Sequence, residues 1–250
     1  IALVITMDLD SVFNPESVAI IGASRDPSKI GNAILKNFVD GGFNGGVFPI
    51  NPNALEIMGL KSFPSVLDVK QKIDSAIISI PAQFVPIALE ECGEKGVKSA
   101  VIISGGFSEV GNFEGEKRII ELAKKYDIAV IGPNCMGVLN PASRVDSIFL
   151  PLYKLERPRL GDIAFISQSG AVGGCIIDLA GRNGIGISKF ASYGNASVID
   201  ETHLLEYLLH DERTRVIAMY LEGVKRGGEF MKIAREVTRE KPLVILKAGT

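Results

Sequence analysis

The chain has 250 residues, 46 % of them hydrophobic and 22 % charged, with a net charge of −2. A chain of that length buries roughly 70–75 % of the surface it exposes when unfolded, and this composition is ordinary for a soluble α/β protein. The small negative charge offers no bulk attraction to nucleic acid or to an anionic membrane, which argues against both as partners.

Three cysteines (Cys92, Cys135, Cys175) without CxxC spacing argue against a disulfide framework, and with only two histidines no metal site is expected. The opening residues IALVITM are apolar but too short to span a bilayer, and they lack the basic start of a secretion signal. Met7 is therefore a candidate natural start, and the cytoplasm is the expected compartment.

Short apolar runs come first in chain order, at 18–22 (VAIIG), 46–51 (GVFPIN), 75–80 (SAIISI), 99–104 (SAVIIS) and 128–132 (IAVIG). Runs without polar alternation predict strands buried on both faces, as in parallel sheets. Helical patterns at 31–39, 84–95 and 113–125 separate them, while 53–73 is irregular, with Pro64 opening one short helix. Alternation of this kind predicts a Rossmann-like, doubly wound domain over residues 8–139.

Periodicity fades over 140–160, where Pro141, Pro151 and Pro158 fall, and this stretch reads as a linker. Alternation resumes with strands at 162–167, 187–191, 215–221 and 243–248 and helices at 170–182, 201–211 and 228–239. Residues 161–250 thus read as a second, flavodoxin-like α/β domain, incomplete at its C-terminus. His203 and His210 lie seven apart on the helix ETHLLEYLLHDER and read as partly exposed helix residues.

The first strand ends at Gly22-Ala23-Ser24 and a helix starts near Lys29, which sets free backbone N–H groups where a pyrophosphate can sit. A dinucleotide fold is disfavoured, because the next glycine is Gly31 and the second strand ends in Asn51-Pro52-Asn53 rather than in an acid. Ser24, Arg25, Ser28 and Lys29 suit a phosphate-rich ligand, although an ordinary βα loop with helix-capping residues reads the same way. The other strand exits carry Ile80-Pro81-Ala82, Ser104-Gly105-Gly106 and Gly132-Pro133-Asn134-Cys135, where a parallel sheet binds ligands. Ser167-Gln168-Ser169-Gly170 joins a strand to a helix, as an anion site or simply as an N-cap.

The segments SVAIIGASRDPSKIGNAIL, VFPINPN, SIPAQFVP, ISGGFSEVG and IGPNCMGVLNP, followed by GDIAFISQSGAVGG, SYGNAS, LLEYL and MYLEGV, occur in this order. Together they resemble the CoA-binding domain and following domain of the ADP-forming acyl-CoA synthetases and, more distantly, the succinyl-CoA synthetase α subunit. The resemblance covers the chain from about residue 10 onward.

It implies CoA bound by Gly22, Ser24, Arg25 and Lys29 at the pyrophosphate and by Asn51, Pro52, Ile80 and Pro81 at the nucleotide end. Ser104, Gly105, Asn134 and Cys135 would lie toward the thiol, with Cys135 lining the mouth rather than attacking. Many relatives carry a lysine where this chain has Asn53, which leaves one phosphate contact to Lys29 or Arg25. The resemblance further implies a phosphoryl site at Ser167, Ser169 and Gly170, with Glu222 steadying a phosphorylated histidine. That histidine, in a loop of Ser-His-Thr-Gly type, is expected beyond Thr250.

Implied partners are an ATP-grasp domain or β subunit that binds ATP or ADP with Mg, a small carboxylic acid or acyl-CoA, and further copies in an oligomer. The expected activity is an acid–CoA ligase that this part alone does not complete. Two alternatives stand beside it, a non-catalytic CoA-sensing module and, disfavoured by the glycine spacing, an NAD-dependent dehydrogenase.

Overall fold

The computed structural model describes residues 8–249, so the opening IALVITM and Thr250 lie outside the described residues. A first sheet has the order β2-β1-β5-β6-β7, all parallel. Its strands are β1 (Ser17–Ile21), β2 (Gly46–Ile50), β5 (Ser75–Ile78), β6 (Ser99–Ile102) and β7 (Ala129–Ile131). A two-stranded hairpin, β3 (Glu56–Ile57) and β4 (Leu60–Lys61), lies between β2 and β5. The helices of this part are α1 (Asp10–Phe13), α2 (Ile30–Asp40), α3 (Val85–Lys95) and α4 (Phe113–Tyr126).

The unalternating apolar runs are explained by burial on both sides. Val18, Ile20, Ile77 and Val101 pack with Ile34, Leu35 and Phe38 of α2. Ala19, Ile21, Ala76 and Ile78 pack with Leu89 of α3 and Leu122 of α4. Strand order reverses at β1, because the chain steps from β1 to β2 on one side and from β2 back across β1 to β5 on the other. That reversal opens a crevice at the carboxyl ends of β1 and β5.

The second sheet has the order β13-β12-β10-β11-β8-β9. Its strands are β8 (Gly137–Asn140), β9 (Val145–Asp146), β10 (Leu160–Ser167), β11 (Ile187–Ser192), β12 (Val216–Leu221) and β13 (Leu243–Lys247). Helices α5 (Gly170–Arg182), α6 (Glu201–His210) and α7 (Gly227–Glu240) connect them. β10 to β13 are parallel, whereas β8 runs antiparallel to β11 and β9 antiparallel to β8.

Here the structure departs from the sequence expectation. Residues 137–140 extend the second sheet although 137–139 were expected in the first domain and 140 in the linker, and 145–146 within that linker form its edge strand. The segment is held by side chains rather than by periodicity. Arg157 Nε lies 2.7 Å from Asp146 Oδ2, and its two Nη atoms donate to the carbonyls of Leu155 and Leu150. Asn140 Nδ2 donates to Phe13 O at 2.9 Å and so ties the segment to α1. The two sheets share one core, since a continuous cluster runs from Ile20 and Leu35 through Val138 and Tyr193 to Leu205 and Met219.

Asp200 caps α6 by accepting from Thr202 N and His203 N, and Arg226 at the start of α7 grips the same carboxylate at 2.8 and 2.9 Å. Burial would raise its pKa, but the bonds from His203 and Arg226 outweigh this and hold the carboxyl well below the usual range. A carboxyl depressed in the folded state stabilises above its unfolded pKa of about 3.9 and loses that contribution as pH falls. Wild type should therefore lose stability on acidification below about pH 4 more steeply than Asp200→Asn. Parallel slopes in urea titrations across that range would remove Asp200 as a cause. No helix among the described residues is long and apolar enough to cross a membrane.

Candidate functional site

The first part of the site is the turn after β1. Gly22 has φ +93°, and a Cβ there would stand 2.7 Å from Ser79 O, so the exit of β1 presses on that of β5. A Cβ on Gly31 would lie 1.9 Å from Gly22 O, so α2 starts directly on the turn. Gly31 thus performs the close helix–strand packing that the sequence left unassigned when it found no tight glycine turn.

Between these glycines Ser24 Oγ accepts from Asp26 N at 3.1 Å, and Asp26 Oδ1 accepts from Ser28 N and Ser28 Oγ. The Ser28 bonds hold the Asp26 carboxyl below its usual value. Asn32 Nδ2 donates to Ser24 O at 2.8 Å, and Asn51 Nδ2 donates to Ala23 O at 2.7 Å. The loop is pinned from inside and its outer face is open. Arg25, Ser28 and Lys29 are exposed, and no side chain caps α2 at Lys29. Arg25 Nη2 reaches Asn53 O at 3.5 Å, at the turn that Asn51 and Pro52 enter.

The neighbouring exits close round this loop. Ile80 is half-buried and Pro81 exposed, and Ser104 Oγ donates to Ile80 O at 2.6 Å. Gly105 faces Asn134, whose side-chain Oδ1 would stand 3.1 Å from a Cβ there. Asn134 takes φ +59° and donates its N–H to Ser104 O at 2.9 Å. The Cys135 thiol is buried and donates to Ile102 O at 3.2 Å, and burial pushes its pKa up to about 12. A thiol that weakly acidic supplies almost no thiolate at neutral pH.

The second part is the turn from β10 into α5. Ser167 Oγ donates to Ser169 O at 2.6 Å, and Ser169 Oγ accepts from Val172 N at 3.4 Å. The N–H groups of Gly170 and Ala171 have no partner among the described residues. Gln168 Oε1 accepts from Glu222 N at 2.8 Å and Gly223 N at 3.0 Å, so it anchors the exit of β12 beside the start of α5. Gln168 belongs to a quoted motif but was not singled out.

A cleft of about 990 Å³ joins these parts, and its wall includes Ile30, Asn134, Cys135, Gln168, Ser169, Gly170, Asn195 and Glu222. Of the expected site residues, Asn134, Cys135, Ser169, Gly170 and Glu222 line it. Gly22, Ser24, Arg25, Lys29, Asn51, Pro52, Ile80, Pro81, Ser104, Gly105 and Ser167 do not. Their chain neighbours Ile30 and Ile103 do, so the cleft runs up to the β1 loop.

Four charged side chains line the cleft, namely Glu109, Lys154, Asp178 and Glu222. Asp178 is paired with Arg182 at 2.7 Å and Glu109 is bonded by Asn195 at 2.7 Å. The Glu222 carboxylate has no hydrogen-bond or ion-pair partner among the described residues, while the Lys154 ammonium lies over the Tyr153 ring at 5.8 Å from its centroid.

Sequence reasoning also missed the seam between the two sheets. Gly194, φ +53°, sits where a Cβ would be 2.3 Å from Asn134 O, and Asn195 N donates to Pro133 O at 3.0 Å. The only local signal for this was the Gly-Asn pair after a strand.

A CoA binding domain matches residues 16–141, the stretch that carries the β1 loop and the Asn134 turn. The chain belongs to the CoA binding domain family. Behind that domain, residues 160–250 match a succinyl-CoA ligase like flavodoxin domain, the stretch that carries the α5 turn and Glu222.

The CoA binding chain is 48 % identical over 242 residues to the acetate–CoA ligase (ADP-forming) of Methanocaldococcus jannaschii, covering 97 % of this chain and 33 % of that protein. It is 44 % identical over 250 residues to the acetate–CoA ligase (ADP-forming) I subunit alpha of Pyrococcus furiosus, covering 97 % and 53 %. Among solved structures, the dinucleotide forming acetyl-coenzyme A synthetase 1 of Ca. Korarchaeum cryptofilum, in complex with phosphate and ADP, superposes with a TM-score of 0.91. That pair is 45 % identical over 97 % of this chain and 52 % of the other. The chain thus spans about a third to half the length of these three relatives.

Proposed function

We propose that this chain is the CoA-handling part of an ADP-forming acid–CoA ligase. The whole enzyme interconverts acyl-CoA, phosphate and ADP with the free acid, CoA and ATP. The observation that supports the reading best is the single cleft whose wall carries the Asn134 turn, the open N-terminus of α5 and the unpartnered Glu222. Those are the groups that a thioester, a phosphoryl group and an imidazole each require in one place.

CoA lies with its pyrophosphate against the uncapped start of α2, where the helix dipole and the Lys29 and Arg25 charges favour an anion. Its pantetheine arm follows Ile30 into the cleft and brings the thiol beside Asn134, with Cys135 as buried lining. Hydrogen phosphate attacks the thioester carbonyl, the C–S bond breaks, and the phosphate's own proton passes to the leaving sulfur, giving acyl phosphate and the CoA thiol. The phosphoryl group of the resulting acyl phosphate rests on the Gly170 and Ala171 N–H groups and passes to a histidine, releasing the acid.

Glu222 accepts from that imidazole, raises its basicity and fixes its tautomer. The histidine comes from a segment other than those described, because His203 is held by Arg226 and Asp200 and His210 sits on a regular helix. An ATP-grasp domain or β subunit receives the phosphoryl group on ADP with Mg. Catalysis on this chain is positioning and charge stabilisation.

Titration calorimetry with CoA and with NAD tests the reading. CoA should bind and NAD should not, and Lys29→Ala should weaken CoA about 10- to 100-fold, the worth of one charge-assisted contact. Tighter binding of NAD than of CoA would overturn it.

A further inference from the structure

The groups assigned to the reaction occupy one end of the cleft, and α5 carries its wall onward. Gly170, Gly174 and Asp178 all line it, and residues four apart share one helix face. At 1.5 Å of rise per residue that row runs about 12 Å from the helix N-terminus to Asp178. Met136, Phe149, Leu150 and Leu155 line the same cleft, so the middle of this trough is apolar.

Gly174 is the informative position. It lies inside a helix, where glycine costs about 1 kcal/mol relative to alanine. At Gly173 a Cβ would come within 2.9 Å of the Phe190 ring, and at Gly181 within 3.1 Å of the Glu156 backbone. At Gly174 its three nearest neighbours would be Met136 Cε at 3.2 Å, Met136 Sδ at 3.4 Å and Leu155 Cδ1 at 3.5 Å, the ends of side chains rather than backbone or ring atoms. The backbone conformation demands no glycine there, and a Cβ would ask the buried Met136 side chain to give by a few tenths of an ångström. The effect of the glycine is to deepen the cleft by a methyl group beside two apolar side chains. An acetyl group displaces only two or three waters of about 30 Å³ each, and its two carbons span far less than the row of about 12 Å along α5.

We infer that the trough over Gly174, between Met136 and Leu155, is the acyl subsite, and that the acid has an apolar chain longer than acetate. The inference rests on the CoA reading above. Gly174 sets how long a chain fits, and the thioester carbonyl stays at the Asn134 and Gly170 end.

Calorimetric titration of this chain with CoA, acetyl-CoA and hexanoyl-CoA separates the two ideas, because binding of CoA reports the first and the hexanoyl-to-acetyl ratio reports the second. Hexanoyl-CoA should bind at least tenfold tighter than acetyl-CoA. Gly174→Leu should abolish that preference, bringing hexanoyl-CoA to within about twofold of acetyl-CoA. Gly174→Ala, which favours the helix, should reduce it partway and serves if the leucine variant folds poorly. Equal binding of the two thioesters, or a preference indifferent to Gly174→Ala and Gly174→Leu, overturns the subsite. Failure of CoA itself to bind removes both readings.

Discussion

Gly31→Ala should leave this chain largely unfolded, at a cost of about 4 kcal/mol or more, the range reserved for changes with no local relief. The added Cβ would sit 1.9 Å from Gly22 O, 2.7 Å from Gly22 C and 3.2 Å from Ala23 Cα. All three are backbone atoms, so no rotamer change clears them. Gly22 cannot retreat either, because its own position already abuts Ser79 O and its N–H is bonded to Ile50 O. The remaining relief is to lift α2 off the sheet, which uncovers Ile34, Leu35 and Phe38, all fully buried. Gly228→Ala is the control, since a Cβ there meets nothing within 4 Å and its φ is ordinary. Urea midpoints followed by circular dichroism make the comparison. Equal midpoints for the two variants would mean that α2 stands further from β1 than a Gly31–Gly22 contact requires, and the proposed anion site at its start would go with it.

The same glycine illustrates what the sequence could and could not disclose. The central strands of the first sheet were legible because burial on both faces demands an unbroken apolar run, and VAIIG or SAVIIS admits little else, whereas β13 is an apolar run whose Val244 and Leu246 are exposed. The α5 turn and the β1 loop were legible for a similar reason, as strand, small residue and helix follow one another within ten positions. β8 and β9 were not. The first is four residues long and the second two, too short for any period, and their partners are fixed by Asn140, Arg157 and the shared core rather than by pattern.

Gly31 was read only as a gap in a fingerprint, since its clash partner is a carbonyl nine residues earlier whose direction no pattern records. The site's second layer stayed hidden for the same reason. Gln168 acts on residues 54 and 55 positions away, and Asn195 bonds side chains 61 to 87 positions away. Sequence locates the turns that hold a ligand. The side chains that hold the turns to one another are set by tertiary contact.

Asn195→Asp should be the most damaging isosteric change at the seam between the two sheets. The Asn195 amide nitrogen donates to Glu109 Oε2 at 2.7 Å and Glu116 Oε2 at 2.9 Å, with Ser108 Oγ at 3.1 Å, while its Oδ1 accepts from Asn134 Nδ2 at 3.3 Å. An amide has only two N–H bonds to give, so the two carboxylates take both. Burial opposes ionisation of Glu109 and Glu116, yet these bonds and the backbone N–H groups of Gly106, Phe107 and Ser108 keep both carboxyls below their usual range.

Aspartate in the same space removes both donors and adds a third negative charge. The expected loss is roughly 3 kcal/mol at neutral pH, two charge-assisted bonds discounted for the exposure of Glu109. The pH dependence identifies the cause. The introduced carboxyl faces two like charges, so its pKa in the folded state is raised above the unfolded value of about 3.9. Its penalty is therefore full above the raised pKa and fades as pH falls toward the unfolded one. The gap to wild type should narrow between about pH 7 and 5 in Asn195→Asp. In Asn195→Ala it should narrow only lower, as Glu109 and Glu116 themselves take up protons. CoA affinity should drop with both variants, because the same seam fixes the Asn134 turn. A gap in Asn195→Asp that stays constant from pH 7 to 5 would mean that the two glutamates do not face the new charge. The contacts that hold the seam would then have to be sought at Gly194, which packs against Asn134 O, and at the Asn195 N–H, which donates to Pro133 O.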